Sequence, residues 1–268
     1  VRVNNIAIAI KIAIIVAFIV VGAFFIKKAN YQPFLPYGMH GVFKGATTVF
    51  FAFLGFDCIS SSAAEVKNPQ KNMPIGIIGT LLVAAVLYMG VSIVLTGMVK
   101  YTKLDVANPV AFALQAVHQD WLAALLSIGA LIGMATMMFT MIYSSSRLIY
   151  SISRDGLLPS FLNKLDAKTS TPKISLWIVA AIIAVMGGLV SLDRLTDLVN
   201  IGTLLAFTLV SFGIIPLRKR KDIGNQGGFR VPWFPVLPII SGCACLFMMS
   251  FLSLDTWIGA GIWFLIGL

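Results

Sequence analysis

Residues 45–74 read GATTVFFAFLGFDCISSSAAEVKNPQKNMP, and the fold turns on how that stretch is taken. It opens as an apolar helix fit to enter a membrane and loses that character in the middle. Gly55-Phe56-Asp57-Cys58 and the run Ser60-Ser61-Ser62 interrupt the expected span. A carboxylate at bilayer depth costs several kcal/mol even on the mildest scales, so an acid there is a candidate for function first. Gly55 accepts backbone angles that other residues resist, and serine hydroxyls can satisfy backbone groups freed by a break. A helix broken at mid-membrane exposes carbonyls and helix ends of the kind that hold a small solute. The stretch is therefore expected to form half of a solute-binding site, with Asp57 as its acid. Asp57 also admits a purely structural reading, as the N-cap of a half-helix whose first amides come from Ile59, Ser60 and Ser61.

Working outward, the rest of the chain agrees with a membrane setting. Hydrophobic residues make up 59% of the 268 and charged residues only 11%, with a mean hydropathy of +0.94. A soluble domain carries about 25% charged residues. The expected class is an all-α polytopic membrane protein. The net charge of +10 would point to nucleic acid if the charges were clustered, but they sit in short loops between apolar runs, so no nucleic-acid partner is expected. Lipid bilayer is the expected surrounding. Cys58, Cys243 and Cys245 supply neither a disulfide framework nor a metal site.

Eight apolar segments can be marked, at about 17–25 residues per span. They cover approximately 3–26, 42–65, 74–99, 122–149, 174–192, 195–217, 236–254 and the short 256–268. The chain is expected to be one membrane domain over 1–268, with its second segment discontinuous near 55–60 and its last segment truncated. Because the first apolar run starts at once and the last stops short, the chain is also expected to be an excerpt of a longer polypeptide. Thirteen basic residues fall on one side of the spans: Arg2, Lys67, Lys71, Arg147, Arg154, Lys164, Lys168, Lys173, Arg218, Lys219, Arg220, Lys221 and Arg230. Six fall on the other: Lys27, Lys28, Lys44, Lys100, Lys103 and Arg194. The richer side is the cytoplasmic one, so the first segment runs outward.

Loop signals are local and clear. Asn108-Pro109 ahead of VAFALQAVHQ predicts a short outer helix with proline near its start. Arg154-Asp155-Gly156, followed by Pro159, predicts the end of the long fourth segment and then another short helix.

Lys11 is the second anomaly, standing in AIAIKIAIIVAFIVVG. Eight residues from the inner end, it lies about 12 Å into the membrane at 1.5 Å per residue. It can snorkel to the interface, or it can point into the bundle as a buried amine. Desolvation favours the neutral form of an amine, which makes the second reading a candidate proton carrier. Both readings stay open on periodicity alone. The fourth segment carries Gly129, Gly133, Thr136, Thr140 and Met141. The two glycines favour close helix contact, while the threonines either face a site or bond back to their own helix. Met141 reads as core filler or as a ligand contact. His40 and His118 are expected in outer loops, which excludes an intramembrane HExxH zinc site. No nucleophile elbow or phosphate-binding loop is visible, so no enzyme activity and no cofactor are expected.

FFAFLGFDCISSSAAEVKNPQKNMPIGI and SSSRLIYSISRDGLLP together resemble the amino acid–polyamine–organocation transporters. The nearest likeness is to their cationic amino acid transporter branch and its bacterial relatives, and it extends over essentially the whole chain. The resemblance implies a LeuT-like inverted-repeat helical bundle, entered here at the fifth helix, with the family's first four helices absent. It implies that the substrate's amino group binds carbonyls at the sixth-helix break, which correspond to Phe51, Ala52 and Leu54. Asp57 resembles the family's acidic residue beside that pocket. Lys11 resembles the fifth-helix lysine of proton-coupled relatives, and Thr136 the eighth-helix hydroxyl facing it. The implied function is proton-coupled symport of an amino acid by alternating access in the plasma membrane. Protons serve as the coupling ion, and amino acid exchange is the alternative. Two departures matter. Ala64-Glu65 keeps one acid where many relatives have two, and Met141 stands where cation-selective members often carry a small residue. A methionine would shorten the pocket, so small or neutral amino acids are expected over arginine.

Overall fold

The computed structural model describes residues 2–56, 66–166, 171–218 and 231–267. Every regular element among them is helical. In chain order they are α1 (Arg2–Ala23), α2 (Gly38–Phe50), α3 (Pro69–Met98), α4 (Pro109–Gln115), α5 (Asp120–Arg154), α6 (Lys173–Leu189), α7 (Leu192–Leu217), α8 (Val236–Met249) and α9 (Leu254–Gly267). Short 3-10 turns occupy Lys28–Tyr31, Phe51–Phe53, Tyr101–Lys103 and Ser160–Asn163.

α3, α5 and α7 are each long and apolar enough to cross a membrane unaided. Residues Ile8–Ala23 of α1 and all of α6 are apolar but shorter. α8 and α9 meet at an angle of 113° across the break between them. Apolar faces are left open at helical spacing. Ile78, Leu82, Val86, Met89 and Ile93 form one such stripe on α3, each about half exposed or more. A stripe like this is costly against water and ordinary against hydrocarbon or other membrane helices. The fold is that of an integral membrane chain.

Local rules set most helix ends. Asn108 caps α4 by accepting the Ala111 N–H at 3.4 Å, with Pro109 as the first helical residue, as its sequence predicts. α5 closes in a Schellman arrangement: the Gly156 N–H donates to the Ser153 carbonyl at 3.1 Å and the Leu157 N–H to Ile152 at 3.2 Å. Gly156 takes φ +84°, which only glycine adopts cheaply. The expected short helix follows as the turn Ser160–Asn163. α5 outruns its apolar core at both ends, with Asp120 in its first turn and Arg154 in its last, where each charge complements the helix dipole and hydropathy does not see it. α3 likewise starts at Pro69 rather than Pro74. Proline at the first helical position is pre-organised, and Pro74 is absorbed within the helix. α2 starts at Gly38, so His40 lies on a helix and packs edge-on to Phe251 at 5.5 Å, contrary to the outer loop expected for it.

The chain divides into two compact units. The first comprises residues 1–31 and 89–190. Its core is built on Phe18, Val94, Met98, Leu114 and Leu122, all nearly inaccessible. α1 lies close on its neighbours through glycine. Gly22 meets Val94, and Gly90 would place a Cβ 2.9 Å from Ile19. Asn30 caps the end of α3, donating to the Gly97 carbonyl at 2.7 Å and the Met98 carbonyl at 3.1 Å. The second unit comprises residues 32–88 and 191–268. There Ile201, Leu204 and Met249 form the buried centre, with Phe50 packed against it.

Candidate functional site

Backbone chemistry makes the site in the second unit. α2 stops at Phe50, and the chain tightens into the 3-10 turn Phe51–Phe53 before Leu54 swings to an extended conformation, φ −62° and ψ +146°. Gly55 follows at φ +107°, where a side chain would be strained. The helix therefore ends five residues before Gly55, where the sequence leads one to expect the break. Its polar backbone emerges among Phe50, Phe51, Phe53 and Phe56. Asp57, and the serines after it, lie outside the described residues.

Around this turn, Ala52, Phe53, Leu54, Gly55 and Phe56 join Thr80, Leu81, Ala84 and Tyr88 of α3 to line a cavity of about 230 Å³. Of the three carbonyls expected to receive an amine, Ala52 and Leu54 belong to residues lining this cavity. The Phe51 carbonyl accepts the Leu54 N–H at 3.2 Å, and the Ala52 carbonyl accepts the Tyr88 hydroxyl at 3.0 Å. Each carbonyl oxygen has two lone pairs, so each can take a further donor. Phe53 meets the Tyr88 ring edge-on at 5.1 Å. Tyr88 was not a sequence candidate. On an apolar helix a tyrosine reads as lining, and its partner lies 36 residues away.

The first unit holds the other candidates. Lys11 is partly buried and runs against α5. A Cβ built on Gly133 would stand 3.3 Å from Lys11 Cε and 3.7 Å from Nζ. The neighbouring pair is Ile14 against Gly129, where a Cβ would fall 2.8 Å from the isoleucine Cδ1. The two glycines so give α1 a close seat, and Lys11 lies across one of them instead of reaching along α1 alone. Gly133 is a residue whose partner the sequence did not reveal, although its four-residue spacing from Gly129 was the signal. Thr136 stands three residues further along α5 and donates to the Ile132 carbonyl at 2.6 Å. Thr140 does the same to Thr136 at 2.9 Å. Both threonines thus bond back to their own helix, which leaves their oxygens as acceptors only. Met141 is partly buried on the same helix.

No group of three or more histidine, cysteine, aspartate or glutamate side chains is placed to hold a metal ion among the described residues.

The family model described as amino acid permease matches residues 1–264. A methylthioribose transporter of Bacillus subtilis (strain 168) is 48% identical over 266 residues, 99% of this chain and 58% of the relative. The branched-chain amino acid permease BcaP of the same organism is 44% identical over 269 residues, 100% of this chain and 57% of the relative. A chloroplastic cationic amino acid transporter 9 of Arabidopsis thaliana is 36% identical over 233 residues, 86% of this chain and 41% of the relative. This chain therefore spans less than two thirds of the length of each of these relatives.

Proposed function

The chain belongs to the amino acid permease family, and from that premise we propose that it works as a proton-coupled symporter of neutral amino acids in the plasma membrane. One observation carries the reading: α2 ends at Phe50 inside an apolar stretch and turns its backbone toward a cavity. Polar backbone at membrane depth is tolerated where it lines a cavity, and such a place receives an ammonium group by hydrogen bonding rather than by reaction. The substrate's amino group is held at Phe51, Ala52 and Leu54, with Asp57 as the nearby acid. Lys11 carries the proton and Thr136 offers its oxygen to the ammonium.

The cycle is alternating access. Substrate binds from outside with Lys11 protonated. After the protein opens inward, the substrate leaves and Lys11 releases its proton to the less acidic side. A ligand can drive such a change only through unequal affinity for the two states, and both proton and substrate contribute here. The seat of Lys11 on Gly133 supports this role, because it brings the amine onto a neighbouring helix rather than into open surroundings. Neutral substrates are supported by the methionine at position 141, where the resemblance puts a small residue in cation-selective members, and by the branched-chain permease among the relatives.

The test is uptake of a panel of radiolabelled amino acids by the full-length protein in proteoliposomes, with and without an inward proton gradient. Leucine, isoleucine and valine are expected to accumulate only with the gradient. Uptake that needs internal amino acid and ignores the gradient would establish exchange instead. A second reading has its own support, since the 48% relative is a methylthioribose transporter. Methylthioribose therefore belongs in the panel, and its uptake to the exclusion of amino acids would replace the substrate proposed.

A further inference from the structure

The end of α2 is held by a residue of α7. In a continuous helix the Thr47 carbonyl would accept the Phe51 N–H. Here that N–H turns to Thr48 instead, as the helix tightens and stops. The freed Thr47 carbonyl accepts the side-chain amide of Asn200, Nδ2 to O at 3.1 Å. The Thr47 hydroxyl in turn lies 3.1 Å from the Phe43 carbonyl and 3.2 Å from the Met248 carbonyl of α8. Asn200 is wholly inaccessible and Thr47 is 2% exposed. Three helices of the second unit, α2, α7 and α8, meet at this one polar knot.

The orientation of Asn200 is forced. Reversing its amide would set two carbonyl oxygens against each other at 3.1 Å. With Nδ2 spent on Thr47, the other end, Oδ1, is buried with no hydrogen-bond partner among the described residues. Buried polar atoms without partners are uncommon and ask for a reason, because an apolar residue of the same shape would avoid the cost. The reason on offer is position. Thr47 lies one turn before the Phe51–Phe53 turn, so whatever takes its carbonyl decides where α2 ends.

We propose that Asn200 is a positioning residue for the binding turn: by capping the Thr47 carbonyl it sets the end of α2 and so places the Ala52 carbonyl and Leu54 at the cavity. The proposal rests on the reading of that turn as the substrate's seat. Asn200 touches no substrate itself. Loss of its donor frees the turn to wind back into helix or to fray, and either change misplaces the acceptors.

The experiment uses full-length protein with Asn200→Leu, which keeps the bulk and removes the donor, and Asn200→Asp, which keeps the shape and replaces the donor with an acceptor. Two readouts are taken, hydrogen exchange of peptides covering residues 47–56 and leucine uptake in proteoliposomes. Both variants are expected to speed exchange at Phe51 and Leu54 by about tenfold, and to raise KM for leucine by about tenfold with Vmax within about twofold. Unchanged exchange in 47–56 would overturn the proposal. So would faster exchange spread evenly over α2, α7 and α8 with KM unmoved, since that is loosened packing. If neither variant can be purified, the unmodified protein decides. Its Phe51 and Leu54 amides should exchange as slowly as those of the α7 turn around Asn200, and exchange at the rate of a frayed end would overturn the proposal. Should the unmodified protein take up no leucine while exchange behaves as expected, the transport reading fails and the role of Asn200 in the turn stands.

Discussion

The Tyr88 hydroxyl donates to the Ala52 carbonyl at 3.0 Å, joining α3 to the 3-10 turn where α2 ends. The phenol holds that carbonyl in a fixed direction while leaving its second lone pair free for another donor. Tyr88→Phe removes this bond and keeps the ring on Phe53. One hydrogen bond contributes about 0.5–1.5 kcal/mol, so KM for the transported amino acid should rise by about two- to twelvefold with Vmax little changed. Initial-rate uptake measures it, and an unaltered KM would remove Tyr88 from the site.

Lys11→Ala should abolish accumulation driven by a proton gradient while leaving exchange of external for internal amino acid. Accumulation surviving unchanged in proteoliposomes would assign proton coupling to another group.

Gly133→Leu should resemble Lys11→Ala in transport although it changes no titratable group. A leucine side chain would occupy the space that Lys11 Cε and Nζ use, 3.3 and 3.7 Å from where its Cβ would stand. Gly133→Ala should be milder, because the far end of a lysine can shift by a few tenths of an ångström. Normal proton-driven uptake by the leucine variant would separate the amine's seat from its function.

Met141→Ser should admit longer cationic side chains, measured as arginine competing with leucine uptake. An unchanged substrate profile would count against the expectation that Met141 limits side-chain length.

Asn30→Ala should lower stability and spare transport. It removes two hydrogen bonds from the last carbonyls of α3, a loss of about 1–2 kcal/mol, visible as a lower melting temperature in detergent. KM should stay within about twofold of the unmodified protein, as expected of a residue that acts on stability alone.

How much of this was legible in the sequence depended on how far each cause acts. Asn108-Pro109 and Arg154-Asp155-Gly156 announce a helix start and a helix stop because cap and capped backbone are close neighbours in sequence. Gly55 is where the sequence leads one to expect a break, yet α2 already ends at Phe50. The stop depends on where freed carbonyls find donors, and the Tyr88 donor comes from another helix. The Gly129 and Gly133 spacing pointed to close helix contact, but not to Lys11 as the side chain lying there. Thr136 and Thr140 were undecided between a site and their own helix, since both options use the same atoms. The structure gives each hydroxyl a carbonyl of its own helix. His40 was misplaced because hydropathy undercounts a polar helical start.

By itself the sequence determined the class, the apolar helices and the helix start and stop at Asn108-Pro109 and Gly156. These follow from composition and from contacts over a few residues, where side chain and backbone act on each other directly. Tertiary structure alone decided which carbonyl Tyr88 holds, that Lys11 lies on Gly133, and that Asn200 takes the carbonyl released at the end of α2. Each joins residues 36 to 153 positions apart. Only the packing of whole helices brings such groups within hydrogen-bonding reach, and no local pattern records it.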